Sequence, residues 1–260
     1  MMISIITPTY NSGTYLESCM ISIMQQKDVE VEHIIVDGGS TDGTIDLIKK
    51  YEDTYNMRWI SEPDQGMYDA IRKGMNMAKG DILAWLNADD VYMPWTLSVV
   101  QKVFKSRKDV RWITGIPMLG YVDGTVSISF NSKKVYPSWI IRNGGMSGRY
   151  YGTLQQESTF WRRDLWEESG GIDSRYKLAG DYHLWIAFSN FAKLYSVNSV
   201  LAFFNIHPGQ KSADRTAYRK EIGNAQPICR ILKALHLFKV IEAISVFLYK
   251  EQLIRIEQLK

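Results

Sequence analysis

With 260 residues, 45% of them hydrophobic and 23% charged, the chain is able to bury a full core as one domain or one domain with an appendage, and is no disordered tail. Lys and Arg number 31 against 28 Asp and Glu, an excess too small for nucleic acid to be a bulk electrostatic partner. Cys19 and Cys229 match no CxxC spacing, which argues against a disulfide framework or zinc knuckle and for a reducing cytoplasm.

The opening MMISIITPTYN has neither the basic n-region nor the cleavage site of a secretory leader, so export by that route is not expected. Residues 3–6 form a β-branched run that ends in Thr7-Pro8-Thr9-Tyr10-Asn11-Ser12-Gly13, a strand followed by a turn. Apolar spacing through Leu16, Met20, Ile23 and Met24 predicts a helix over 15–26. A buried strand at 33–36 follows, and closes on Asp37-Gly38-Gly39-Ser40-Thr41-Asp42-Gly43-Thr44. Residues 44–51 read as helix, 58–61 as strand, 67–79 as helix and 82–86 as buried strand. The first 100 residues therefore predict a mostly parallel α/β sheet, with functional loops beyond the C-terminal ends of its strands.

After Asn87-Ala88-Asp89-Asp90 the βα rhythm is lost. A helix is expected near 94–106, a strand at 111–115 and hairpin-like material around Asp123-Gly124. Residues 131–180, rich in Gly, Tyr, Trp and Arg, suit loops and short strands that face a polar ligand. Residues 215–260 carry nine basic and four acidic side chains, a local +5 that leaves −2 on the rest. Helical spacing over 228–260 sets Ile228, Ile231, Leu232, Leu235 and Phe238 on one stripe, suited either to packing on the domain or to lying on anionic lipid. The chain nowhere holds 18 consecutive apolar residues, so no membrane-spanning helix is expected.

Acids at strand ends begin the chemistry. Asp37 precedes two glycines, which let a ligand approach the backbone, although Asp-Gly and Ser-Thr-Asp-Gly are also turn and cap chemistry, with Asp42 suited to cap the second helix. The glycine spacing is neither GxGxxG nor GxxxxGK[ST], which removes the main support for a dinucleotide or P-loop site. Asp89 and Asp90 end a strongly apolar strand, and two adjacent like charges invite a divalent cation shared with substrate phosphates. The same four residues also make a helix cap.

Six segments, taken in order, resemble the GT-A glycosyltransferases, most closely family 2, the inverting, nucleotide-sugar-dependent enzymes that build bacterial surface polysaccharides. They are Ser4-Ile5-Ile6-Thr7-Pro8-Thr9-Tyr10-Asn11, Val36 to Thr44, Glu62-Pro63-Asp64-Gln65-Gly66-Met67-Tyr68-Asp69-Ala70 with Lys73-Gly74, and Leu86-Asn87-Ala88-Asp89-Asp90 at the DxD position. Gly180-Asp181-Tyr182-His183-Leu184-Trp185 and His207-Pro208-Gly209-Gln210-Lys211-Ser212 complete the set.

The resemblance implies an α/β GT-A fold, Rossmann-like with a mostly parallel central sheet: a catalytic domain over 1–214, divided into a nucleotide-binding half (1–100) and an acceptor-binding half (101–214), and a basic amphipathic helical extension over 215–260. It implies that Pro8, Thr9 and Tyr10 border the base, that Asp37 accepts a uracil imide N–H, and that Asp64 and Lys73 contact the nucleotide or its phosphates. The Asp69–Lys73 pair is at the same time an i,i+4 ion pair of a helix. Asn87, standing for the first Asp of DxD, would meet the ribose, an amide's task as well as an acid's. Asp89 and His207 would hold Mn²⁺ or Mg²⁺, with Lys211 adding charge near the phosphates.

Asp181 would be the general base, its rival role being the cap of the helix over 182–191. Gly144-Gly145, Tyr150-Tyr151 and Gln155-Gln156-Glu157 lie where the family shapes its acceptor site. The implied partners are a nucleotide-sugar donor, UDP-linked by the Asp37 reading, and a glycan or lipid-linked glycan acceptor; contact of the C-terminal stretch with anionic membrane at its cytoplasmic face stays the alternative to packing on the domain. Two rival classes have signatures of their own. A sugar nucleotidyltransferase would carry a GxGxR-like loop where this chain has Thr-Pro-Thr-Tyr-Asn, and a non-catalytic nucleotide-sugar binder would dispense with Asp181.

Overall fold

The computed structural model describes every residue except 122–124, 129–133, 174, 211–213, 224–225 and 260, so the hairpin signal at Asp123-Gly124 and Lys211 lie outside the described residues. The first half alternates as predicted: β1 (Met2–Thr9), α1 (Leu16–Met24), β2 (Glu30–Asp37), α2 (Thr44–Tyr51), β3 (Met57–Ser61), α3 (Met67–Met77) and β4 (Ile82–Trp85). There follow β5 (Val91–Tyr92), α4 (Thr96–Ser106), β6 (Trp112–Thr114), β7 (Met118–Tyr121), β8 (Val126–Ile128), α5 (Ser138–Arg142), β9 (Thr159–Arg162) and α6 (Arg163–Ser169). The chain continues through α7 (Gly180–Phe191), β10 (Leu194–Val197), β11 (Ala202–Ile206), α8 (Arg215–Ile222), α9 (Pro227–Ala234), α10 (Phe238–Leu248) and β12 (Leu253–Ile254).

An eight-stranded sheet runs β12-β10-β6-β9-β4-β1-β2-β3. Helices cover both faces of β1, β2 and β4, which is why these strands are buried almost throughout rather than at alternate residues. Strands β4, β1, β2 and β3 are parallel neighbours, so their C-terminal ends open on the same side. The reversal of strand order beside β1 creates a crevice there. A four-stranded sheet, β5-β11-β7-β8, covers the mouth region.

Two expectations are corrected. Residues 131–180 are not only loops and short surface strands, because β9 enters the middle of the main sheet, antiparallel to both β4 and β6, and buries Phe160 and Trp161. The C-terminal stretch is not one helix either. It breaks after α9, where His236 takes a positive φ of 55°, and returns through α10 to β12, which pairs parallel with β10.

Beneath the crevice lies an aromatic core of Trp85, Trp112, Trp161, Trp185 and Phe188, all buried. Trp185 of α7 stacks on Trp85 at the end of β4, with centroids 5.9 Å apart and planes 5° from parallel, and on Trp112 at 5.7 Å. Such pairs each add about 0.5–1.5 kcal/mol beyond the burial itself. They fix the start of α7 relative to the end of β4.

Candidate active site

The exits of β1 and β2 are tied into one rigid rim. Gly38 N–H donates to Thr9 O at 2.9 Å, Asn11 N–H to Ser40 Oγ at 2.7 Å, and Thr41 N–H to Asn11 Oδ1 at 2.9 Å. Asp42 accepts from Gly13 N at 3.0 Å and from Thr44 N at 3.1 Å, while Gly43 occupies the N-cap position of α2. Asp42 thus joins the two loops at the start of the helix.

Asp37 is fully buried. Its Oδ2 accepts from Gly39 N and Ser40 N at 2.9 Å each and from Ser61 Oγ at 2.7 Å, and Oδ1 accepts from Ser40 Oγ. This carboxylate organises the loop and does not line the cleft. Asp64 does line it, with Oδ1 accepting from Gly66 N at 2.7 Å and Oδ2 lying against Gly38. A Cβ on Gly38 would come within 2.8 Å of that oxygen and 3.3 Å of the Tyr10 ring, so only glycine lets these groups close together. Pro8, Thr9 and Tyr10 line the same end. Lys73 does not. Its ammonium is engaged by Glu62 at 2.7 Å and Asp69 at 3.6 Å, and donates to Pro63 O at 3.3 Å.

The two adjacent acids separate. Asp90 turns into the core, fully buried, where its carboxyl accepts from Asn205 N at 3.1 Å and Asn87 Nδ2 at 3.4 Å. Burial, with the charges of Glu157 and Asp89 adding to it, pushes its carboxyl well above the usual carboxylate range. Asp89 faces the cleft instead, and antiparallel pairing of β5 with β11 carries His207 to it across 118 residues of chain. His207 Nε2 lies 3.0 Å from Asp89 Oδ2, and Tyr15 stacks on the imidazole at 4.2 Å.

The donor chemistry of this pair fits a divalent cation. Nδ1 of His207 is 2.9 Å from Pro208 O, a carbonyl that only accepts, so Nδ1 carries the ring proton. In a neutral ring Nε2 then points a lone pair at a carboxylate oxygen, an arrangement that needs a proton or a cation between them. Two cis ligands of an octahedral ion bonded at about 2.1 Å stand about 3.0 Å apart, the separation found here. No cluster of three or more His, Cys, Asp or Glu able to hold a metal occurs among the described residues, so the pair would need oxygens from a ligand or water.

Asp181 lies in the first turn of α7, but the N-cap position belongs to Ala179 and no side chain caps the helix. Burial pushes the Asp181 carboxyl up to about 6, against bonds from the Tyr182 N–H, the Tyr68 hydroxyl and its own N–H that pull it down. Tyr68 reaches it at 3.2 Å while also donating to Leu178 O at 2.9 Å. Gly180 permits this approach, since a Cβ there would meet the Tyr68 ring at 2.8 Å. Glu221 of α8 holds the preceding loop, accepting from the N–H groups of Lys177, Leu178 and Ala179 at 2.8–3.0 Å. Neither Tyr68 nor Glu221 has a local signal for its task, since each acts on a segment distant in sequence.

Tyr10, Asp64, Tyr68, Asn87, Asp89, Asp181 and His207 border one cleft of about 1080 Å³. Of the proposed acceptor-side residues, Gln155, Gln156 and Glu157 line it, whereas Gly144, Gly145, Tyr150 and Tyr151 do not. Burial, with the charges of Asp181 and Asp89, pushes the Glu157 carboxyl up to about 8. Thr9 Oγ1, Trp85 Nε1, Asn87 Oδ1, Gln156 Oε1 and Glu157 Oε1 are buried on lining residues without a hydrogen-bond partner among the described residues. Each such atom costs about 1–3 kcal/mol. Their concentration here marks a wall made for a polar ligand.

A mostly parallel α/β sheet, with an Asp–His pair and a second carboxyl in one crevice beyond its strand ends, is an arrangement suited to binding a nucleotide. Residues 4–116 match the family model Glycosyl transferase family 2, and the chain has the GT-A fold. It is similar to a PGL/p-HBAD biosynthesis glycosyltransferase of Mycobacterium tuberculosis, 29% identical over 193 residues, covering 73% of this chain and 70% of the relative. It is also similar to the hyaluronan synthase of Pasteurella multocida, 23% identical over 227 residues, covering 85% of this chain but 22% of that longer protein.

Among solved structures, S. aureus TarS 1–349 in complex with UDP-GlcNAc superposes with a TM-score of 0.66 at 19% identity, over 82% of this chain and 61% of that one. The mannosyltransferase PcManGT from Pyrobaculum calidifontis, in complex with GDP-Man and Mn²⁺, gives 0.63 at 19% identity, over 96% and 73%. At such identities the likeness speaks for the fold.

Proposed function

We propose that the protein transfers a sugar from a nucleoside diphosphate donor, a UDP-sugar, to a hydroxyl of a glycan or lipid-linked glycan with inversion. The observation that carries this reading is the presence, in one cleft, of the Asp89–His207 pair and of the half-buried Asp181. Two proteins of the same fold hold UDP-GlcNAc, or GDP-Man with Mn²⁺.

Tyr10, Pro8, Thr9 and Asp64 frame the base, and Asn87, on the same wall, would meet the ribose. Asp37 serves by shaping the loop beneath them, and Lys73 by fixing α3 to Glu62. Asp89 and His207 would hold Mn²⁺ or Mg²⁺, which offsets the charge that grows on the departing diphosphate. Asp181 takes the proton of the acceptor hydroxyl as its oxygen attacks the anomeric carbon. The bond to the diphosphate breaks on the opposite face of the sugar. A base near 6 is ionised at neutral pH and still basic enough for this transfer.

The experiment is a panel of nucleotide sugars tested for thermal shift and hydrolysis with and without Mn²⁺. A UDP-sugar should stabilise the protein and be hydrolysed slowly in a Mn²⁺-dependent way. A panel in which no nucleotide sugar shifts the melting temperature or is consumed contradicts the reading.

A further inference from the structure

The C-terminal helices carry their apolar side chains outward. On α10, Phe238 packs against Tyr150 and Tyr151 at 6.0 and 6.2 Å, Ser245 is buried, and Glu242 reaches Lys134 at 3.2 Å. The opposite face shows Val240, Ile244, Phe247 and Leu248, all exposed, Phe247 by 82%. A surface helix of a globular protein has the reverse polarity. The same inversion holds for α9, where Cys229 is buried while Ile228 and Ile231, with Leu235 and Leu237 just beyond, are exposed. Exposed apolar surface concentrated in this way marks an interaction site.

Charge selects the occupant. Arg230 and Lys233 of α9 and Lys239 of α10 are exposed, and Glu242, the one acid within 227–248, is turned toward Lys134. A second copy docked face to face would oppose these cations to their own kind. We infer that α9 and α10 form a docking face for an anionic lipid surface, the apolar row entering the acyl boundary and the cations meeting headgroup phosphates. No helix of the described residues is long and apolar enough to cross a membrane, so this face lies on the bilayer.

The placement bears on the cleft. Tyr150 and Tyr151, against which α10 packs, belong to the segment whose Ser147, Gly148, Thr153 and Leu154 line the cleft. Docking through α10 therefore sets the cleft beside the bilayer, where a lipid-linked acceptor would arrive. That consequence rests on the proposed function, whereas docking itself does not.

Cosedimentation of the full chain with phosphatidylcholine vesicles, with and without phosphatidylglycerol, tests the inference. Binding should require the anionic lipid, and fall about tenfold or more in high salt. The Ile244→Asp, Phe247→Asp double variant should lose it, and Arg230→Gln with Lys239→Gln, which leaves every apolar residue in place, should weaken it. Both variants should keep the wild-type melting temperature and UDP-induced thermal shift, a control that separates failure of docking from failure of the donor site. Wild type that ignores anionic vesicles at low salt overturns the inference. So does a correctly folded double variant that sediments like wild type, or a solution dimer that Phe247→Asp dissociates.

Discussion

Tyr68 of α3 and Asp181 of α7, 113 residues apart in sequence, meet hydroxyl to carboxylate at 3.2 Å. The hydroxyl has one proton and two acceptors, Asp181 and the Leu178 carbonyl, so it holds the loop before α7 as well as the carboxylate. Tyr68→Phe keeps the ring against Gly180 and deletes only the hydroxyl, which also accepts from Asp181 N at 3.3 Å. Because the Tyr68 bond lowers the Asp181 pKa, its loss should move the acid limb of the rate profile to higher pH and lower turnover about tenfold. UDP affinity, measured by calorimetry, should be unchanged. A variant with the wild-type rate and profile would leave Tyr68 a purely structural residue.

Asp89 and His207 should make nucleotide binding depend on the cation. Titration of UDP with and without Mn²⁺ should show tighter binding with the ion in wild type, and no such difference in Asp89→Ala or His207→Ala. Asp90→Asn should retain it, because burial already disfavours the charged form of Asp90. Equal affinities in every titration would remove the pair from the metal assignment.

The Asp181 carboxyl is raised from 3.8 to about 6 on folding, so its charged form is less favourable in the native protein than in the unfolded chain. The cost is fully present above about 6 and vanishes as pH falls through 3.8. Asp181→Asn should therefore melt at or above the wild-type temperature at neutral pH, an advantage that shrinks toward pH 4. The wild-type rate should fall as the pH drops below about 6. Calorimetric melts and a pH–rate profile measure both, and a rate level through that range would show that no group of this pKa is needed in its charged form.

The first half of the fold is legible because its physics is local. The covered strands show short apolar runs at their centres, Ile34-Ile35-Val36 in β2, and α2 fills Thr44–Tyr51 as its spacing predicts. β9 is not legible, for it has four residues and becomes a central strand only by pairing with β4 and β6, far away in sequence. The site divides along the same line. Motifs bring Asp37, Asp64, Lys73, Asp89 and Asp181 to the crevice region, but the aim of each side chain depends on its neighbours. Ser40, Ser61 and the loop amides claim Asp37, and Glu62 claims Lys73, whereas Asp64 and Asp89 are left facing the cleft. Tyr68 and Glu221 act on Leu178, Asp181 and the intervening amides through contacts between distant segments, which a local pattern does not encode.

The central claim is that Asp181 takes the acceptor proton, and Asp181→Asn tests it most directly. A general base contributes about 10²–10⁴-fold, so sugar transfer from the donor identified in the nucleotide-sugar panel should fall by that factor. Affinity for UDP with Mn²⁺ should stay near wild type, because Asp89, His207 and the rim of β1 and β2 do not depend on this carboxyl. Transfer rate and UDP affinity are measured on the same preparation. A loss of transfer by two or more orders of magnitude with donor binding intact is the predicted result, and transfer at the wild-type rate would contradict the account.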